Sequence, residues 1–446
     1  MALLARRARR AVAKAVSLGG AGAGVELAIP AHFRCPISLD LMRDPVTAPT
    51  GITYDRESIE AWLDRGHPTC PVTHAPLRHE DLVPNHAIRR VIQDWCVANR
   101  SRGVERIPTP KIPLTPVQAS ELLFDLAAAA SRRRGDAAAR CAEVVAKIKS
   151  LARDSERNRR CFASIGAGRA LAAAFVSLAD ADATPAGRVL EDVLAALVCM
   201  MPLDEEAAGT LGSPSSLGSL IAIAENGSLA GRMNAVLAIK EVVSCDGAFV
   251  DLSGKVDEIV DALVKTIKAP ICPQATKAAM VATYHLARSD ERVAASLATA
   301  GLVPVLVESL VEADKSVSEK ALAVLDAVLR SEEGRASARA HALAMPVLVK
   351  KMFRVSDVAT ELAVSAMWRL GRAPRDGEEE DDEVTRCLVE ALRVGAFQKL
   401  LLLLQVGCRD ATKEKATELL KMLNKYKGVG ECVDAGDFRG LNKLSA

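Results

Sequence analysis

From Val117 onward one helical pattern keeps returning, and it limits the fold of most of the chain. Arg232-Met-Asn-Ala-Val-Leu-Ala-Ile, Thr276-Lys-Ala-Ala-Met-Val-Ala, Glu319-Lys-Ala-Leu-Ala-Val-Leu, Thr360-Glu-Leu-Ala-Val-Ser-Ala and Glu414-Lys-Ala-Thr-Glu-Leu-Leu recur at offsets of roughly 40 to 55 residues. Between them, Gly301-Leu-Val-Pro-Val-Leu-Val and Gly395-Ala-Phe-Gln-Lys-Leu-Leu open helices in one common way. A unit of this kind cannot bury its apolar stripe alone, so neighbours must stack.

A period near 40 with two or three helices per unit is that of armadillo or HEAT-type repeats, expected to form a curved solenoid with one concave face. Composition agrees. Apolar residues make up 50% of the chain and aromatic ones only 3%, an Ala/Leu/Val-rich balance that favours closely packed helices. The repeats read clearly from residue 216. Residues 117–215 read as a helical start to the solenoid, with a loop break at Thr210–Ser216. The offset of 54 between Thr360 and Glu414 is stretched by the acidic run Asp376-Gly-Glu-Glu-Glu-Asp-Asp-Glu383, read as a solvated loop. This half shows no phosphate-binding glycine loop, no Gly-x-Ser-x-Gly and no His/Asp cluster, and Cys161 and Cys408 read as small core residues.

Other bounds follow from the whole chain. At 446 residues it exceeds one core. A net charge of +2 implies no general affinity for nucleic acid or acidic membrane. The longest apolar runs, such as Leu400 to Leu404, fall far short of a membrane span. Eleven cysteines without a Cys-x-x-Cys pair suit reduced thiols, hence a cytoplasmic or nuclear protein.

The segment before the repeats has a different signature. Cys35-Pro-Ile-Ser38 and Cys70-Pro-Val-Thr73 each begin like half a zinc clamp, yet a clamp needs a second thiolate two residues on. A hydroxyl stands there instead, a poor zinc ligand but a good hydrogen-bonding group. His67-x-x-Cys70-x-x-x-His74 is the competing zinc reading, with three ligands; the broken pairs at Ser38 and Thr73 argue for no metal. Val46-Thr-Ala and Ile52-Thr-Tyr flank Pro49-Thr50-Gly51 as a hairpin. Asp55 is placed to cap a helix that carries Ile59, Trp62 and Leu63 on one face and stops at Gly66. Asn85 is placed to cap a second helix with Ile88, Val91, Ile92 and Trp95 on its inner face.

Ile29-Pro-Ala-His-Phe-Arg-Cys-Pro-Ile-Ser-Leu-Asp-Leu-Met-Arg-Asp-Pro-Val46 resembles the opening of a U-box, the RING-like module of ubiquitin ligases. Gly51-Ile-Thr-Tyr-Asp55, Ile59-Glu-Ala-Trp62, Cys70-Pro-Val-Thr73 and Leu82-Val-Pro-Asn85 continue that resemblance in order. With the repeats, it points to the plant U-box E3 ubiquitin ligases that carry C-terminal armadillo repeats. The resemblance implies a groove for a ubiquitin-charged conjugating enzyme (E2) built on Ile37, Trp62 and Pro71. It also implies a ubiquitin-positioning loop in which His74 stands where a basic residue is common. No covalent ubiquitin intermediate, no cofactor and no metal are implied, so Cys35 and Cys70 would pack inside rather than act as nucleophiles. A protein substrate on the armadillo groove, U-box homodimers and a role in stress or defence signalling are implied as well.

The expected fold is therefore mostly α. Residues 1–28 form a flexible basic segment, for which an organelle transit peptide is the other reading. Residues 29–102 form a small metal-free α+β U-box, and 103–116 a proline-rich connector. Residues 117–215 start the solenoid, and 216–446 are armadillo-type repeats. The alternative to a ligase is a non-catalytic armadillo scaffold with a degenerate U-box.

Overall fold

The computed structural model describes residues 28–109, 114–131, 137–180, 186–245, 254–372 and 382–426. The basic segment and nearly all of the acidic run lie outside them. The chain divides into two compact units between residues 112 and 113.

The N-terminal unit is built on a three-stranded antiparallel sheet, β1 (Pro45–Thr47), β2 (Thr53–Asp55) and β3 (Val83–Pro84), in the order β2-β1-β3. Val46 pairs with Tyr54, and the turn between β1 and β2 closes through the Gly51 N–H on the Ala48 carbonyl. Gly51 has φ +79°, the left-handed region that the turn requires. Helix α1 (Arg56–Asp64) buries Ile59 and Leu63 and ends at the left-handed Gly66. Helix α2 (His86–Ala98) begins at Asn85, whose side chain accepts from the Ile88 N–H at 2.9 Å and donates to Thr47 Oγ1 at 3.0 Å.

Three details differ from the sequence reading. Asp55 does precede α1, but its carboxylate does not cap it; it accepts from the N–H groups of Arg43 and Asp44 at 2.8 and 2.9 Å. Those donors belong to the bend leading into β1, so Asp55 ties that bend to β2. On α2 the inner face holds Arg89, Ile92 and Cys96, while Val91 is half exposed at 49%. A buried arginine took the place of an aliphatic residue because Asp44 awaits it. Asp44 accepts from Arg56 Nε of α1 at 2.7 Å and from the Arg89 guanidinium of α2. The connector also starts later than expected. Val104 packs against the core of this unit and Ile107 is buried in it, with Gln93 of α2 donating to the Ile107 carbonyl at 3.3 Å.

The second unit is wholly helical among the described residues. Its helices are α3 (Pro116–Ala130), α4 (Ala137–Asp154), α5 (Glu156–Ser164), α6 (Ala167–Ala179), α7 (Ala186–Val198), α8 (Glu205–Leu211), α9 (Pro214–Asn226) and α10 (Leu229–Ser244). There follow α11 (Val256–Lys268), α12 (Pro273–Ser289), α13 (Glu291–Thr299), α14 (Leu302–Glu312), α15 (Lys315–Val328) and α16 (Glu332–Ala340). The last five are α17 (Ala344–Lys351), α18 (Asp357–Leu370), α19 (Asp382–Arg393), α20 (Ala396–Val406) and α21 (Asp410–Lys425).

Three-helix units repeat with a local grammar. The first helix starts at a Ser or Asp cap, as at Ser155, Asp204, Asp290 and Ser331, each accepting a backbone N–H two or three residues on. The second starts at a left-handed glycine, Gly166, Gly301 or Gly395, that turns the chain sharply without a Cβ clash. The third starts again at a side-chain cap, Ser228, Cys272, Asp314 or Ser356. These third helices, α4, α7, α10, α12, α15, α18 and α21, pack each against the next in one ladder. Buried alanines such as Ala235, Ala279, Ala321, Ala363 and Ala416 let the backbones approach closely.

All five motifs aligned from sequence fall on this ladder. It begins earlier than they do, because α4 and α7 already belong to it. The expected break at Thr210–Ser216 is only a two-residue joint: Thr210 lies in α8, and Pro214 starts α9 at a position where its missing N–H costs nothing.

Candidate functional site

Two loops of the N-terminal unit share one backbone design. After Cys35, the Leu39 N–H returns to the Cys35 carbonyl at 2.9 Å and the Cys35 N–H reaches the Asp40 carbonyl at 2.9 Å. After Cys70, the His74 N–H returns to the Cys70 carbonyl at 2.9 Å and the Cys70 N–H reaches the Ala75 carbonyl at 2.8 Å. Leu39 and His74 both take the left-handed conformation, at φ 63° and 58°. Each loop is thus a five-residue turn hung on a fully buried cysteine, and both cysteines sit in the same core cluster.

Hydrogen bonds do what a metal would do in such loops. Tyr54 Oη lies 2.9 Å from Cys70 Sγ inside the core. Burial alone would raise this thiol. The Thr73 hydroxyl, the Tyr54 hydroxyl and the Thr73 and Val72 N–H groups all stabilise its thiolate, and together they pull it down to about 6. Burial and the same sulfur push the Tyr54 hydroxyl up, so the phenol keeps its proton and donates it. In the first loop the Ser38 hydroxyl accepts from the Asp40 N–H at 3.3 Å. The three residues of the zinc reading do not converge: Cys70 points at Tyr54, His67 stacks on the Trp62 ring at 4.4 Å, and His74 is exposed.

Ile37, Trp62 and Pro71 are all half-buried, and Ile37 and Trp62 pack on the rim of the core. Trp62 does more than offer a face. Its indole Nε1 donates to the Thr69 carbonyl at 2.8 Å, which pins the entrance of the second loop to α1. His74 stands at the tip of that loop and Arg78 beyond it is exposed and paired with Glu80 at 3.4 Å. Sequence reasoning missed Leu39 and Val72, which are 69% and 51% exposed. Their signal was positional: each is an apolar residue two or four places after a loop cysteine that is itself buried.

The matches to known proteins fit this layout. Residues 29–101 match the U-box domain, and residues 120–443 match the plant U-box protein ARM repeat region. The chain is 40% identical to U-box domain-containing protein 21 of Arabidopsis thaliana, over 94% of this chain and 93% of that one. The chain belongs to the plant U-box proteins with an armadillo repeat region. U-box domain-containing protein 20 of the same plant is 38% identical over 92% of this chain and 90% of its own. The E3 ubiquitin-protein ligase PUB23, also from Arabidopsis thaliana, is 33% identical over 89% of this chain and 93% of its own. Within the U-box of this chain, the Trp62 indole joins α1 to the second loop, and the armadillo region follows in sequence.

Proposed function

We propose that this U-box protein is an E3 ubiquitin ligase whose U-box receives a ubiquitin-charged conjugating enzyme on Ile37, Trp62 and Pro71, with Leu39 and Val72 widening the apolar surface. The observation that carries this reading is the pair of cysteine-anchored loops, which hold apolar side chains half or more exposed on a rigid core. Few anchors with a polar surround give weak, exchangeable binding, as a carrier that arrives loaded and leaves empty needs. The ligase brings the E2 thioester and a substrate lysine together, so proximity and orientation supply the acceleration. Cys35 and Cys70 are fully buried and do not act as nucleophiles.

The armadillo region holds the protein substrate. The exposed Val83 on edge strand β3 supports a U-box homodimer as part of the same proposal. Eleven cysteines without a Cys-x-x-Cys pair, four of those described fully buried in the two cores, support a cytoplasmic or nuclear site. A role in stress or defence signalling completes the reading.

Titrating the full chain with an E2 and following its amide resonances tests the surface. Ile37→Ala should weaken binding about tenfold with the fold unchanged, the loss expected for one central apolar anchor. Unchanged binding in a folded Ile37→Ala protein would move the site elsewhere. A scaffold with a degenerate U-box is the second reading, favoured by the exposed His74 where a permanent cation is common. His74→Arg should raise ubiquitin transfer if the loop positions ubiquitin, and leave it at zero if the module is inert.

A further inference from the structure

The ladder helices carry a regularity of their own. Arg288, Arg330 and Arg372 follow one another at intervals of 42 residues, each in or just past the last turn of α12, α15 and α18. Those three helices pack side by side, so their C-terminal ends are neighbours. Arg330 Nη1 donates to the Arg288 carbonyl at 2.8 Å, which places consecutive members of the row next to each other.

A cation near a helix C-terminus is favoured by the carbonyl dipoles, which helps to place all three but does not account for the ring contacts of Arg288 and Arg372. Arg288 and Arg372 are exposed, and each lies over an aromatic ring of its own ladder helix, 5.5 Å from the Tyr284 centroid and 4.6 Å from that of Trp368. Acids on the same surface are engaged: Asp326 holds Arg369 at 2.9 Å, and Glu418 accepts from the Trp368 indole. Among the described residues none of the three row arginines forms an ion pair. Arg288 Nη1 also donates to the Tyr284 hydroxyl at 3.0 Å, and stacking on a ring orients the rest of the guanidinium fork.

We propose that this row is the docking strip for an acidic, extended segment of the substrate protein, with a carboxylate at every third residue. The proposal rests on the substrate-binding role given above to the armadillo region. Packed helices lie about 8–10 Å apart, and an extended chain advances about 3.3 Å per residue. One arginine per repeat therefore meets about every third side chain, in the bidentate geometry that guanidinium and carboxylate favour. A nucleic acid fits less well, because the Tyr284 and Trp368 faces are already covered by arginine and leave little room for a base to stack.

The test is fluorescence anisotropy on the full chain with two labelled peptides of equal composition, one with Asp at every third position and one with its Asp residues clustered at one end. The spaced peptide should bind about tenfold tighter than the clustered one, from correctly placed bidentate pairs. Arg288→Gln with Arg372→Gln should erase that preference without changing the melting temperature, and Arg288→Lys with Arg372→Lys should restore part of it. Equal binding of the two peptides overturns the proposal, as does a preference that survives the double Gln variant. An oligouridylate that competes as well as the spaced peptide overturns it in favour of RNA. Binding that appears only once Glu378, Glu379 and Glu380 are replaced by Gln overturns it in favour of the chain's own acidic run. Peptide binding requires no conjugating enzyme, so its failure is separate from failure of the ligase reading.

Discussion

Cys70 is a thiol held near neutrality by its neighbours, and this gives the U-box a pH signature. Its folded-state value, about 6, lies below that of an unfolded cysteine. Between the two the unfolded chain binds more protons, so stability rises with pH from about 6 to about 8.5, and is lost as pH falls through 6. Tryptophan-fluorescence melts across that range should show this slope in the wild type and a flat profile in Cys70→Ala. Tyr54→Phe, which removes the 2.9 Å hydrogen bond, should cost about 1–2 kcal/mol and reduce the slope. His74 makes a second claim at this scale. With φ at 58°, a β-branched residue there is strained, so His74→Val should destabilise the module by about 1–2 kcal/mol in urea titrations, whereas His74→Gly should not. The sequence showed that the metal pairs at Ser38 and Thr73 were broken. It could not show that Tyr54, sixteen residues before Cys70, supplies the proton, because that contact exists only once β2 is in place.

Asp44 decides the arrangement of the helices and sheet in the U-box. Its carboxylate ties Arg56 of α1 and Arg89 of α2 to the bend before β1, and Arg89 is almost wholly buried. Asp44→Asn leaves a buried guanidinium without its counter-charge and should cost about 3 kcal/mol by urea unfolding. The hairpin, both helices and the Asn85 cap were legible because each depends on residues close in sequence. The Asp44 cluster was not, since Arg89 lies 45 residues away and an arginine on an apolar face reads as a misplaced surface charge. In the armadillo region the same limit appears at Gly166: its turn matches those of Gly301 and Gly395, but its flanking helices diverge enough to hide the repeat. Gly301→Ala should cost about 1 kcal/mol by the same measure, because φ at +73° is a strained state for any side chain.

At the scale of the whole chain, the proposal makes the U-box the transfer module and the ladder the reader of substrate. Each ladder helix buries its small-residue face on its neighbours, so removing α19–α21 would bare the apolar face of α18. Such a truncation should aggregate, whereas removal of the U-box should leave a monomeric helical protein with an unchanged circular-dichroism melt. The order of modules was legible from sequence because the U-box motifs are short and the repeats are periodic. That residues 117–215 start the solenoid was legible too, but not which of its helices join the ladder, since α4 and α7 lack the aligned motif and declare themselves only by packing. The most direct test of the account is an in-vitro ubiquitination assay with a small panel of conjugating enzymes, run on wild type, Ile37→Ala and Trp62→Ala. Ubiquitin chains from the wild type whose rate of formation falls about tenfold or more in both variants, with Ile37→Ala still folded by circular dichroism, are the predicted result. Chains formed equally well by a folded Ile37→Ala protein, or none from the wild type with any member of the panel, would contradict it.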